Sequence, residues 1–217
     1  MQIAIPLFPR FTALDAVGPY EVLSRLPDAE VVFVAAERGV VRTDTGVLGI
    51  EADRAFGEVP SPAVVLVPGG IGTRTALADE ALLSWVRSAH EGSRYTTSVC
   101  TGSLVLAAAG VLDGLDATTH WLAMDLLGEL GARPVKERWV EQGKVITAAG
   151  VSAGIDMALA LAERIAGAEA AQAIQLGIEY DPAPPFDSGS PDKAPERVVA
   201  LARREQAAEE ADGADQV

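Results

Sequence analysis

Two stretches of this chain, EVVFVAA over residues 30–36 and AVVLV over 63–67, are apolar and β-branched with almost no polar interruption. A strand that is apolar on both faces has to be covered on both, which is the condition of a parallel sheet inside an α/β domain. Shorter runs of the same kind stand at 2–7 (QIAIPL), 95–99 (YTTSV) and 144–148 (KVITA). Between and after them, residues 12–23, 80–90, 101–109, 120–130, 152–166 and 168–177 space their apolar side chains at helical intervals. Alternation of strand and helix predicts an α/β three-layer sandwich: a mostly parallel sheet, helices on both faces, right-handed crossovers. Residues 40–56 alternate apolar and polar around a Thr-Gly turn and predict a peripheral hairpin. No internal repeat or linker appears, so residues 1–195 read as one α/β domain. They include an irregular Pro- and Gly-rich loop at 181–191, and a charged terminal helix with an acidic tail follows over 196–217.

Charge and residue counts narrow the chemistry. Net charge is −14, and no Lys/Arg cluster stands out. Nucleic-acid binding draws most of its affinity from cations on phosphates, so no nucleic-acid partner is expected. One cysteine and two histidines cannot assemble a Cys/His zinc site, and no calcium-loop spacing is present, so no metal is expected. No apolar run approaches the roughly 18–20 residues of a membrane helix. The opening MQIAIPLFPRF lacks a basic n-region and a small-residue cleavage site. A soluble, cytoplasmic protein is the expectation.

In open α/β sheets, sites form beyond the carboxyl ends of the strands. That rule selects residues 7–10, 68–72, 100–102 and 148–150. Cys100 falls where a strand ends and a helix begins, with Gly102 close behind. It is either a small buried residue or a nucleophile lifted above the sheet by a strained elbow. A thiol there would feel the helix N-terminus, which favours the thiolate, and the Thr101 N–H would point to the same spot. Pro68-Gly69-Gly70 is either a simple turn or the source of a second amide, that of Gly70, in an oxyanion hole. Asp15 lies in the first turn of an otherwise apolar helix after the first strand. It is either a partner for the helix dipole or a proton donor facing the thiol, its pKa raised by burial and like charge. Glu21 lies farther along that helix as a weaker candidate. His120, in ATTHW, is either structural or a partner that activates the thiol. Asp181 opens the Pro-rich loop, and it either makes the turn or belongs to a cover over the site.

The stretches LDAVGPYEVL, VLVPGG, SVCTGSLVLAAAGVLDG, ATTHW and ITAAGVSAGIDMALAL follow one another through most of residues 3–165. In this order they resemble the ThiJ/PfpI superfamily, whose fold is the flavodoxin-like, glutamine-amidotransferase-like sandwich. In the PfpI-like proteases a His follows the nucleophile; Thr101 stands there in this chain, so the resemblance does not extend to peptidase activity. Asp15, the Cys-Thr-Gly turn and QLGIEYDPAPPFDSGSP at 175–191 look most like the isonitrile hydratase branch of the family. That resemblance implies cofactor-free hydration of isonitriles to N-substituted formamides through a thioimidate on Cys100, with Asp15 as general acid/base. It also implies Thr101 and Gly70 amides around the sulfur, and a homodimer. Other readings on the same fold are a glyoxalase-type or redox-sensing thiol protein, the ligand-sensing domain of AraC-type regulators, and a partner-binding protein with an inert cysteine. The AraC-type regulators carry a helix-turn-helix domain after a segment like this one, whereas one charged helix follows here.

Overall fold

The computed structural model describes residues 1–214, and the last residues of the expected acidic tail, 215–217, lie outside them. In chain order the strands are β1 (Gln2–Pro6), β2 (Glu30–Ala35), β3 (Gly39–Arg42), β4 (Gly49–Ala52), β5 (Arg54–Ala55), β6 (Val64–Val67), β7 (Tyr95–Val99), β8 (Asp116–Ala117), β9 (Arg133–Pro134), β10 (Trp139–Gln142) and β11 (Val145–Ala148). The helices are α1 (Ala13–Leu23), α2 (Thr73–Ala76), α3 (Glu80–Gly92), α4 (Gly102–Ala108), α5 (Met124–Glu129), α6 (Ala153–Ala166), α7 (Ala168–Gly177) and α8 (Glu196–Ala214). They fall into two compact units, Met1–Glu179 and Tyr180–Val217. The first holds the whole sheet. The second opens with an irregular, exposed segment and carries α8.

Seven strands form one sheet in the order β10-β11-β7-β6-β1-β2-β5, parallel throughout except for β10, which runs antiparallel to β11. The uniformly apolar strands take the central places: every residue of β6 is fully buried, as are Ile3, Ala4 and Ile5 of β1. β7 shows why two helix layers are needed. Thr96 faces α3, where its hydroxyl meets His90 Nδ1 at 2.9 Å, while Val99 on the alternate face lies against Gly154 of α6, which Pro19 of α1 also approaches. Helix α6 packs on both α1 and α7, and α4 packs on α2, α3 and α5. The α1–α6 seam is close because Gly18 and Gly154 sit in it; a Cβ on Gly18 would lie 3.1 Å from Ile155.

The predicted hairpin is present as the antiparallel pair β3–β4, turning at Gly46 in the left-handed region. Three details differ from expectation. Residues 120–130 are not one helix: a 3₁₀ turn at Trp121–Ala123 leads into the short α5. β10 joins β11 through a turn at Gly143, an edge strand whose half-exposed WVEQ carries too little apolar signal to announce itself. The four-residue α2 also has no sequence periodicity to mark it. Among the described residues no helix is long and apolar enough to cross a membrane.

Candidate active site

The carboxyl ends of β1, β6, β7 and β11 converge on Cys100. This residue joins β7 to α4 with a φ of 56°, a left-handed conformation in a non-glycine residue. Such a backbone costs about 1–3 kcal/mol and persists only where its surroundings over-determine it. Here they do. The Cys100 N–H is shared between the carbonyls of Ala148 (3.1 Å) and Ala149 (3.0 Å). Its carbonyl accepts the hydroxyls of Ser103 (3.2 Å) and Thr119 (3.0 Å). The Thr-Thr of ATTHW therefore works as a brace: Thr119 holds the turn, and Thr118 ties its own hydroxyl to the Glu137 carbonyl at 3.0 Å.

Two glycines let the backbones close around this turn. A Cβ on Gly69 would sit 2.5 Å from Thr101 N, and one on Gly102 would sit 2.2 Å from the Val67 carbonyl oxygen. In both cases the obstacle is main chain that cannot step aside. Gly102→Ala is expected to cost about 3 kcal/mol through forced overpacking. A thermal melt several degrees below wild type checks this, and an unchanged melt would mean the turn has slack.

Asp15 lies in the first turn of α1 and is fully buried, beneath the Pro68–Gly70 loop. Its Oδ2 accepts the Gly69 N–H at 2.9 Å, while Oδ1, equally buried, receives no N–H or O–H from the described residues. Burial pushes this carboxyl up to about 7, with a smaller push from Asp44 and against the pull of the Gly69 N–H and the Cys100 thiol. Cys100 is 6 % exposed, and its thiol is pushed well above the ordinary range. Burial dominates that rise and the Asp15 charge adds to it, opposed by the amides of Thr101 and Val151 and by the Thr101 side chain. The helix N-terminus was expected to lower the thiol pKa. Desolvation outweighs it, since α4 is only seven residues long and the sulfur is shut away from water. The two acids face one another, and each resists ionising while the other carries charge.

Thr101 stands at the N-cap of α4. Its Oγ1 accepts the Gly70 N–H at 2.9 Å and lies 2.8 Å from Thr73 Oγ1. The Gly70 amide, expected beside the sulfur, is therefore spent on the Thr101 side chain. The amides that reach the sulfur are those of Thr101 and Val151. Val151 went unnoticed in the sequence. It has a φ of 28°, rare for a β-branched residue, in the small-residue loop AGVSAG that leaves β11. That loop's Ala and Gly content after a buried strand was the one signal that pointed there.

His120 packs its ring against Gly150, where a Cβ would come within 2.7 Å of Cδ2, and makes no hydrogen bond to Cys100. Burial lowers its pKa, which favours the uncharged ring. Glu21 is on the exposed side of α1, paired with Arg25 at 2.7 Å. Asp181 belongs to the second unit and is exposed there. Among the described residues, no group of three or more His, Cys, Asp or Glu could hold a metal ion.

The chain is 50% identical over 204 residues to isonitrile hydratase of Pseudomonas putida, an alignment covering 94% of this chain and 89% of that protein. It is 30% identical over 183 residues to the HTH-type transcriptional regulator CdhR of Pseudomonas aeruginosa, covering 82% of this chain but 53% of the regulator. The crystal structure of a ThiJ/PfpI family protein from Pseudomonas syringae superimposes with a TM-score of 0.90 at 37% identity, over 97% of this chain and 89% of that one. The DJ-1/PfpI family model matches residues 1–164, which contain every strand of the sheet and the whole surround of Cys100. With that match and those relatives, the chain belongs to the DJ-1/PfpI family.

Proposed function

We propose that this protein hydrates isonitriles to N-substituted formamides, with Cys100 as nucleophile and Asp15 as the group that carries protons. The observation that carries the reading is the buried thiol facing a buried carboxyl whose pKa is raised to about 7. Half identity to an isonitrile hydratase supports the substrate class.

The terminal carbon of R–N≡C accepts a nucleophile and then a proton at the same atom. As the S–C bond forms, the thiol proton passes to Asp15, and Asp15 delivers it to that carbon, leaving the thioimidate R–N=CH–S–Cys100. Water then adds to the carbon. One of its protons reaches the nitrogen by way of Asp15, and the C–S bond breaks as R–NH–CHO leaves and the thiol is restored. The sum consumes one water and nothing else. A carboxyl poised near 7 takes and gives a proton at comparable cost, which is what both halves require. The Thr101 and Val151 amides lower the cost of negative charge on sulfur during attack and departure.

Burial also speaks against a primary role in oxidant sensing, because oxidation follows thiolate character and exposure and Cys100 has little of either. The scheme uses neither Glu21 nor Asp181, and it leaves His120 as a neutral wall of the loop. A cytoplasmic homodimer is the setting this reading assumes, by resemblance to the family.

The test is incubation of the purified protein with an aromatic isonitrile and chromatographic detection of the N-formamide. Product formed by the wild type and not by Cys100→Ala is the expected result. No formamide from a panel of aromatic and aliphatic isonitriles overturns the reading.

A further inference from the structure

Among the groups that act on the thiol, the Val151 amide, at a strained backbone position, belongs neither to the Cys100 turn nor to α1. What holds it in place is visible on the surface. The segment before β10 crosses beside the AGVSAG loop, and the Arg138 carbonyl accepts the Ala149 N–H at 2.9 Å. The same residue's guanidinium then reaches over the loop: Nη2 donates to Ser152 Oγ at 3.3 Å, and Nε donates to Asp156 in the first turn of α6. Residues 149–152 are thus gripped at both ends by one side chain and its own backbone, with Val151 in between at a φ of 28°. The segment bearing Arg138 is anchored in turn, since the neighbouring Glu137 carbonyl accepts the Thr118 hydroxyl in the ATTHW brace.

We propose that Arg138 is a positioning residue for Cys100: its clamp on Ser152 and Asp156 holds the Val151 amide against the thiol sulfur. Arg138 touches no reacting atom. A half-exposed ion pair such as Arg138–Asp156 contributes little to global stability. Its effect falls instead on the loop, where a backbone in an unfavourable region relaxes once its restraint is gone. A bidentate guanidinium suits this task, because it can hold a hydroxyl and a carboxylate at once; a lysine ammonium on a flexible stem reaches one of them. The inference rests on Cys100 being the reactive thiol, whichever substrate it serves.

The experiment measures Cys100 alkylation by iodoacetamide as a function of pH in wild type, Arg138→Ala, Arg138→Lys, Asp156→Asn and the Arg138→Ala/Asp156→Asn double variant. Isonitrile turnover and thermal melts are recorded alongside. The charged group that acts on the thiol is Asp15 of α1, and His120, against Gly150, is the other titratable group beside the loop; none of these variants alters either.

Loss of one hydrogen bond to a developing thiolate is worth a slowing of roughly 10-fold or somewhat more. Arg138→Ala should therefore shift the alkylation profile to higher pH and slow alkylation near pH 8 by about that factor. Its kcat should fall in parallel at unchanged KM, with a melt close to wild type. Asp156→Asn should repeat the effect, the double variant should add nothing further, and Arg138→Lys should recover part of it. Alkylation profiles that coincide with wild type overturn the proposal, even if turnover drops. A shifted profile in a protein inert toward isonitriles upholds the clamp while refuting the substrate.

Discussion

Replacing Cys100 with Ala is expected to lower formamide production by on the order of 10⁴-fold or more, because the proposed covalent intermediate forms on its sulfur. Cys100→Ser should fare little better. A serine hydroxyl is far less acidic than a thiol, and the site that already holds the thiol neutral would hold an alcohol more firmly so. Neither change should unfold the protein. The hydrogen bonds that fix this turn run through the Cys100 N–H and carbonyl and do not use the side chain.

A third variant separates chemistry from strain at the same position. With a φ of 56°, residue 100 occupies a region that glycine enters without steric cost. Cys100→Gly relieves that strain, gives up the packing of one small side chain, and adds backbone entropy to the unfolded chain. The balance of these modest effects is a melt within a few degrees of wild type, together with complete loss of turnover. Turnover near wild type in the Ala or Gly variant would mean that sulfur is not the nucleophile.

The fold was legible because the central strands had no polar residues to spare for water. VVFVA and AVVLV admit only a covered, parallel arrangement, and the helices between them fill the crossovers. Edges were harder to read. WVEQ is half-exposed on one side of the sheet, and β5, β8 and β9 are each two residues long, too short for any period to register. At the site, the same strand-end rule located Cys100, Asp15 and the Gly69-Gly70 turn. Which amide met which acceptor lay beyond it. Gly69 rather than Gly70 serves the Asp15 carboxylate, and Gly70 is turned to the Thr101 hydroxyl, a choice settled by the 138° φ of Gly70 and the tight approach of residues 10–12. The Val151 amide reaches the thiol from some fifty residues along the chain, Arg138 reaches only the loop that bears it, and no local pattern connects either to Cys100.

Asp15→Asn is expected to slow turnover by about 10²–10⁴-fold, the range for loss of a positioned proton donor and acceptor. The same substitution should make the protein more stable at neutral and alkaline pH. The folded carboxyl keeps its proton until about pH 7, whereas the unfolded chain releases it near 3.8. Between those values the folded state binds more protons than the unfolded one, so the free energy of unfolding falls as pH rises, then levels off above 7. At about 1.4 kcal/mol per pKa unit, the stability given up across the window from 3.8 to about 7 is a little over 4 kcal/mol. Asn cannot ionise. It keeps an oxygen for the Gly69 N–H and lacks this slope altogether. Denaturation midpoints for wild type and Asp15→Asn should therefore nearly coincide at pH 4 and separate progressively up to pH 7, with the variant the more stable. Curves that stay parallel across that range would mean that Asp15 ionises normally in the folded protein. It would then be too weak a base to draw the proton from the thiol at comparable cost. The Gly69 hydrogen bond alone does not call for a buried acid, since Asn would accept it without the stability cost of ionisation, and proton transfer at the thiol is the task that does.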